Sequence, residues 1–238
     1  MTSDPVGSGV DETRGLRRIA AGSMVGLAAG IVGLALPIGL FLLATYSPGT
    51  VLLSGPTLIE AAALLALAGT LLFALSLSLY RIGFWALQSY DRGFWSASVL
   101  CLLGTIGAVL IAVPIALAFL SSDAISNCIK GAPTHALTCL GSAAPLAASW
   151  AIVAFWLVWF GGLGVVVGII LAGRRYSQGW FYGSATLYAL LLLGFVGPIL
   201  GLLFPIGALT YPLILTPILI LIAPAATIHG CRIALKDR

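Results

Sequence analysis

The chain has 238 residues, of which 61% are hydrophobic and only 8% are charged, and its formal net charge at pH 7 is +4. Soluble domains are about half apolar and about a quarter charged, so this composition excludes an ordinary soluble fold. A surrounding lipid bilayer removes the need for a polar surface. We therefore predict an integral membrane protein.

Six apolar stretches are long enough to cross a bilayer as helices, which takes about 20 mostly apolar residues. They cover approximately residues 19–44, 58–80, 97–120, 146–172, 181–203 and 209–228. Apolar residues occupy all sides of residues 165–172, and nearly all sides of residues 213–223, instead of alternating with polar ones as they would in a membrane β-barrel. The prediction is an all-α bundle of six transmembrane helices over residues 19–229, with cytoplasmic tails at 1–18 and 230–238.

The basic residues predict which way the bundle faces. Lysine and arginine concentrate in the loops on the cytoplasmic side of a membrane. With six crossings, every lysine and arginine except Lys130 falls on the side of the two termini. We predict that both termini are cytoplasmic and that the protein lies in the cell membrane. Because the basic residues are spread over separate loops and tails, they do not indicate a nucleic-acid partner.

Two of the predicted inner loops resemble each other. Residues 90–98, Tyr-Asp-Arg-Gly-Phe-Trp-Ser-Ala-Ser, align with residues 176–184, Tyr-Ser-Gln-Gly-Trp-Phe-Tyr-Gly-Ser. A Leu-Leu-Gly sequence follows in both helices, ending at Gly104 and Gly194, and the first helix has a fainter version of the pattern. We infer three parallel two-helix hairpins related by an axis along the membrane normal. Chance similarity within apolar sequence is the alternative.

One stretch also resembles a known family. Residues 80–94, Tyr-Arg-Ile-Gly-Phe-Trp-Ala-Leu-Gln-Ser-Tyr-Asp-Arg-Gly-Phe, precede a glycine-rich apolar helix. In this feature the chain resembles an archaeal family of polytopic membrane proteins of unknown function. The resemblance covers most of the chain and is carried by interface residues and small residues. It implies a topology and an archaeal origin, and it implies no activity.

Glu60 is the only carboxylate inside a predicted span. Carboxylates within the membrane are candidates for proton or cation sites. Glu60 lies close to the outer end of its helix, however, and Thr57 precedes it at the spacing of a capping box. Pro56 supports a helix start at the same place. We favour the cap, and an intramembrane polar site at Glu60 is the alternative.

The largest outer loop contains two cysteines, Cys128 and Cys139, on the side of the membrane where thiols oxidise. We predict a disulfide between them. His135 lies between the two cysteines, so a zinc site is the alternative, although zinc needs three or four ligands and only Asp123 could join. Of the other cysteines, we predict that Cys101 is a small buried residue and Cys231 a free thiol. We predict no cofactor and no metal.

Aromatic and glycine patterns indicate packing between helices. Phe155, Trp156, Trp159 and Phe160 cluster in the middle of the fourth helix, where a quinone, a lipid or an apolar substrate is the alternative to neighbouring helices. The first helix has glycines at every fourth residue, a spacing that lets helix backbones approach closely. These are Gly22, Gly26 and Gly30. We expect contacts within the chain, with self-association as the alternative.

Two functions are consistent with this sequence. The first is a non-enzymatic bundle or an accessory subunit of a membrane complex, with membrane lipid, other membrane subunits or a second copy of the chain as partners. The second is a small transporter or channel for a neutral or apolar solute. A membrane enzyme ranks third, because no catalytic set of side chains, metal cluster or phosphate loop is visible. We therefore predict no catalytic residues.

Overall fold

A computed structural model of the chain describes residues 8–36, 55–120, 145–203 and 211–236. These residues form helices, and two pairs of the helices are joined by short turns. The helices are α1 (Ser8–Gly30), α2 (Gly55–Leu87), α3 (Gly93–Leu120), α4 (Pro145–Tyr176), α5 (Gly179–Leu203) and α6 (Tyr211–Lys236). A π-helical segment, Ile31–Ala35, continues α1 and ends where the Leu36 N–H donates to the Ile31 carbonyl. Wider turns of this kind are uncommon and are frequently found at functional sites.

Two tight turns connect helices at the end of the bundle that holds most of the basic residues, which we call the basic end. The turn between α2 and α3 uses Asp91, whose carboxylate accepts the Gly93 N–H at 2.7 Å. The turn between α4 and α5 passes through Ser177, which has a φ of 52°. That left-handed conformation is common just after a helix and is usually taken by glycine there. Both turns reverse the chain within a few residues and make the joined helices antiparallel.

The helices pack as a closed ring in chain order. Each helix contacts the next one along the chain, and α6 returns to pack against α1. Small residues allow the closest approaches, because a glycine lets two helix backbones touch. A methyl group added to Gly104 of α3 would overlap the Cα of Gly161 in α4, and Gly33 and Gly69 oppose each other in the same way between the π-helical segment and α2.

One hydrophobic core fills the half of the ring nearer the basic end, which we call the basic half. Every helix contributes to this core. The largest fully buried rings belong to Phe84, Phe94 and Phe181, which come from α2, α3 and α5. The Phe84 ring stacks on Phe94 with centroids 6.1 Å apart and lies against Gly168 of α4. Leu16 of α1 and Cys231 of α6 complete the same cluster. The centre of the ring is therefore filled with side chains in this half.

The described helices have the length and composition of membrane spans. Five of them contain a segment apolar enough to cross a bilayer, namely Asp11–Gly33, Glu60–Leu87, Gly93–Val113, Ile152–Tyr176 and Ile218–Lys236. The searched part of α5, Gly179–Leu193, is a shorter apolar helix. The prediction of an all-helical chain with helices long and apolar enough to cross a membrane is confirmed for the described residues, and the number of crossings is taken up below.

At the basic end the helices are longer than the predicted spans. α1 begins at Ser8 and α6 continues to Lys236, so both enter segments that the sequence assigns to tails. α2 continues to Leu87, which places Trp85 on a helix and leaves a loop of only five residues, 88–92, before α3. The reason is that arginine and the aromatic residues are compatible with a helix and can occupy the headgroup layer without ending it.

The structure gives mixed information on the repeat. α3 and α5 begin at the aligned glycines Gly93 and Gly179, and the aligned Ser98 and Ser184 are both buried. The two serines bond in different directions, however. Ser98 donates to the Arg81 carbonyl of the preceding helix, whereas Ser184 donates to a carbonyl of the following helix. The three-hairpin repeat stays a prediction.

Candidate functional site

A chain of hydroxyl groups crosses the interior of the bundle. The Ser23 hydroxyl of α1 lies 2.7 Å from the Tyr80 hydroxyl of α2, which lies 3.1 Å from the Tyr188 hydroxyl of α5. Tyr188 also bonds to the Thr227 hydroxyl of α6, and Thr227 bonds to Ser184. Five side chains from four helices therefore form one hydrogen-bonded line across the ring, and we call this set the hydroxyl chain.

Both ends of the hydroxyl chain stop at backbone carbonyls. Ser23 donates to the Ile19 carbonyl at 3.0 Å. Ser184 donates to the Ala223 carbonyl at 2.9 Å. Polar groups buried in a bilayer must be hydrogen-bonded, and this arrangement bonds all five hydroxyls within the protein. A line of hydroxyls that ends on carbonyls fixes the rotation of helices about their axes, and it contains no group that accepts a proton at neutral pH.

A buried carboxylate lies at the basic end, in a segment that the sequence assigns to the N-terminal tail. Glu12 of α1 is only 3% exposed, and its Oε1 accepts the Tyr176 hydroxyl at 2.9 Å. The Arg175 Nε lies 3.7 Å from the same oxygen. Because a charged carboxylate is costly to bury unless it is paired and hydrogen-bonded, these two contacts from the end of α4 help to stabilise Glu12 at this position.

The same arginine connects a third part of the chain to this cluster. The Arg175 guanidinium lies over the Tyr90 ring of the turn between α2 and α3, with 5.2 Å from its central carbon to the ring centroid. The Tyr176 ring in turn contacts Phe181 at the start of α5. We call Glu12, Tyr90, Arg175 and Tyr176 the inner cluster. It ties α1 to both turns of the basic end, which closes that end of the ring.

Glu60 lies in the second turn of α2 and is partly buried. The helix begins at Gly55, two residues before Thr57, so Thr57 falls within the first turn and not at the cap that a capping box requires. Pro56 fits this start, because its fixed φ and missing N–H are suited to the first turn of a helix. The intramembrane polar site at Glu60 stays the alternative, untested by the structure.

Two of the four cysteines lie among the described residues and two do not. Cys128, His135 and Cys139 lie outside the described residues, so the disulfide and its zinc alternative stay predictions. Cys101 and Cys231 are fully buried free thiols. The Cys101 Sγ lies 3.9 Å from the Gly161 carbonyl, next to the closest approach of α3 and α4. Cys231 is more deeply buried than its place near the end of α6 indicates.

The aromatic cluster of α4 faces outward in part. Neighbouring rings from Phe155 to Phe160 meet edge to face, with centroids 5.7–5.9 Å apart. Trp156 and Phe160 are exposed on the outside of the bundle, whereas Phe155 and Trp159 are partly buried. The cluster therefore presents an aromatic surface to the surrounding membrane as well as to the protein.

The three glycines of α1 lie at helix contacts within the chain. A methyl group on Gly22 would be 3.2 Å from the Ser76 carbonyl oxygen, and one on Gly26 would be 2.9 Å from the Ser76 hydroxyl. Ser76 uses the space at Gly22 to donate to its carbonyl at 2.7 Å. Gly30 lies against Ile220 of α6. The glycine stripe thus adjoins both neighbours of α1.

Sequence reasoning missed the hydroxyl chain and the inner cluster, although both leave signals. Glu12, Leu16, Ile19 and Ser23 follow one another at spacings of four, three and four residues, which places them on one face of a helix. All four are buried. The same spacing could have shown that the helix begins before the charged residues end. Serine and threonine inside apolar spans are likewise expected to face the bundle interior.

Comparison with known proteins adds no relative. No protein-family model, no curated protein and no solved structure matches this chain. The resemblance to an archaeal membrane family therefore stays an expectation from the sequence.

Proposed function

We propose that the chain crosses the membrane six times, with both termini in the cytoplasm. The support is the distribution of charge. The start of α1, the ends of α2, α4 and α6 and the turn between α2 and α3 carry all the described arginines and lysines. These ends lie together, as the contacts of Glu12 with Arg175 and Tyr176 show. Basic residues collected at one end of a bundle are typical of a cytoplasmic face.

We further propose that the protein is a non-enzymatic bundle that serves as an accessory subunit of a membrane complex. The observation that carries this proposal is the filled core of the basic half. Phe84, Phe94 and Phe181 occupy the centre of the ring there, and the hydroxyl chain beside them is bonded to itself. A solute passing along the axis would have to displace these side chains.

Purification of the full chain from native membranes in a mild detergent tests the subunit proposal. Native mass spectrometry should then show the 24.5 kDa chain together with a different polypeptide at a fixed ratio. Chemical crosslinking before solubilisation should give the same pair, which controls for association after extraction. The chain alone, or copies of itself only, in both measurements would contradict the proposal.

A transporter or channel for a neutral or apolar solute is the second candidate. The specific observation in its favour is the closed ring in chain order, because six helices around one axis can enclose a passage. The π-helical segment Ile31–Ala35 adds an irregular helix of the kind found at functional sites. In this alternative the filled core and the inner cluster form a closed gate at the basic end.

Flux assays in liposomes separate the two candidates. The subunit proposal expects no solute uptake above that of empty vesicles, both for the natural chain and for Phe84→Ala, which shortens the central side chain. Uptake by the natural chain would favour the transporter. Its loss in Glu60→Gln would then assign the intramembrane carboxylate a part in transport, and uptake unchanged by that substitution would clear Glu60 of such a part.

A further inference from the structure

A basic groove lies on the outer face of α6 at the basic end. It is an open depression of about 340 Å³ lined by His229, Arg232, Ile233, Leu235 and Lys236. His229, Arg232 and Lys236 follow at spacings of three and four residues, so their side chains share one side of the helix. All three are exposed. The groove therefore brings two fixed positive charges and an imidazole to one surface.

The groove lies at the depth of lipid headgroups. It occupies the last two turns of the span Ile218–Lys236. Trp180, at the start of α5, packs edge-on against His229 with ring centroids 4.7 Å apart, and half of its surface is exposed. Tryptophan at the end of a membrane helix is typical of the boundary between acyl chains and headgroups. Ile233 and Leu235 supply the apolar part of the groove's lining.

The charge of the groove is complementary to an anionic headgroup. Among the described residues, neither Arg232 nor Lys236 forms an ion pair with a carboxylate. The segment 232–238 carries three basic side chains and one acidic side chain, so its balance is positive. Basic residues at the cytoplasmic surface attract anionic lipids, and basic pockets beside membrane helices bind their headgroups.

We propose that this groove binds the phosphate headgroup of an anionic phospholipid from the leaflet at the basic end. Arg232 and Lys236 would contact the phosphate, with His229 as a further donor and Trp180 beside the glycerol. Arginine suits this position because its planar fork donates two parallel hydrogen bonds to a phosphate. The proposal does not depend on whether the bundle is a subunit or a transporter.

Native mass spectrometry of the purified full chain tests the site. The probes are phosphatidylglycerol and phosphatidylcholine with identical acyl chains. We expect tighter binding of phosphatidylglycerol, and we expect Arg232→Gln with Lys236→Gln to weaken it roughly twenty-five-fold, at about fivefold for each basic side chain. The matched control is Arg81→Gln with Arg92→Gln, which removes two exposed basic residues of the same end and should leave binding nearly unchanged.

Three results would overturn the proposal. One is equal binding of the two lipids by the natural chain. Another is equal weakening by the groove pair and the control pair, which would show attraction to the whole basic face instead of a site. The third is displacement of phosphatidylglycerol by excess inorganic phosphate, which would identify a free anion as the ligand. All four substituted residues are exposed, so folding should be retained, and circular dichroism checks this.

Discussion

Tyr80 is the residue on which the hydroxyl chain depends, because it bonds to Ser23 on one side and to Tyr188 on the other. Phenylalanine in its place keeps the ring against Phe84 and removes both bonds. Hydrogen bonds between membrane helices contribute ~0.6 kcal/mol on average and at most about 1.7 kcal/mol. We expect Tyr80→Phe to lower the free energy of unfolding by about 1–2 kcal/mol.

Unfolding in mixed detergent micelles measures this change. Tyr182→Phe is the matched control, since Tyr182 is an exposed tyrosine outside the hydroxyl chain. It should change the free energy of unfolding by less than about 0.5 kcal/mol. Equal effects of the two substitutions would show that the hydroxyl chain contributes nothing to the stability of the bundle.

Glu12 and its sequence neighbour Asp11 provide a second comparison at the residue scale. Glu12 is buried and bonded to Tyr176, whereas Asp11 is exposed and lies 3.9 Å from the exposed Arg14. Glu12→Ala removes the partner of a partly buried tyrosine hydroxyl and of a half-exposed arginine. We expect it to lower the free energy of unfolding by about 1–3 kcal/mol. Asp11→Ala should cost less than about 1 kcal/mol, because exposed ion pairs contribute little.

The same unfolding measurement checks the Glu12 comparison, and similar losses for the two alanine variants would contradict it. Sequence reasoning could not separate these residues by composition, since both lie in one charged stretch, Asp-Glu-Thr-Arg. The difference arises from helix rotation. Glu12 shares a face with Leu16 and Ile19, and Asp11 does not. Pairing with Tyr176 also depends on a contact 164 residues away, which no local pattern reveals.

At the scale of the helices, the contact between Gly104 and Gly161 sets how closely α3 and α4 pack. A methyl group on Gly104 would overlap the Cα of Gly161 and would lie 3.0 Å from Leu77. The two backbones would have to separate, and overpacking of this kind costs about 1–3 kcal/mol. We expect Gly104→Ala to lower the free energy of unfolding by that amount.

Gly183→Ala is the control for this helix contact. A methyl group at Gly183 of α5 would meet nothing within 4 Å. Alanine also has the higher helix propensity, so the variant should be as stable as the natural chain or slightly more stable. Loss of stability in Gly183→Ala equal to that in Gly104→Ala would attribute the effect to glycine replacement in general and not to the contact.

Helix existence was predictable and helix ends were not. Hydropathy identifies the spans, because about 20 apolar residues are required wherever a helix crosses lipid. It does not identify where a helix stops in the headgroup layer. Arg81 and Trp85 lie on α2 beyond the predicted end of its span, and α1 begins before Arg14. Polar residues in that layer are compatible with both a helix and a loop. Contacts with neighbouring helices decide which of the two forms.

At the scale of the whole molecule, the closed ring was only partly predictable. The charge distribution predicts that the basic ends lie on one side of the membrane. The short turn between α4 and α5 makes these two neighbours antiparallel. The return of α6 to α1 and the filling of the basic half by Phe84, Phe94 and Phe181 depend on how side chains from distant segments fit. The sequence does not distinguish buried Phe94 and Phe181 from the neighbouring exposed Trp95 and Trp180, because only the fit of the folded helices decides which ring is enclosed.

Cysteine labelling of intact cells is the most direct test of the proposed six-crossing bundle with both termini in the cytoplasm. In a chain whose Cys128 and Cys139, in the predicted outer loop, are replaced by serine, the remaining Cys101 and Cys231 are buried. Single cysteines are then introduced as Gly9→Cys, Gly131→Cys and Asp237→Cys. With a membrane-impermeant maleimide, the account predicts immediate labelling at position 131 and labelling at positions 9 and 237 only after permeabilisation. Labelling of position 9 or 237 on intact cells would contradict it.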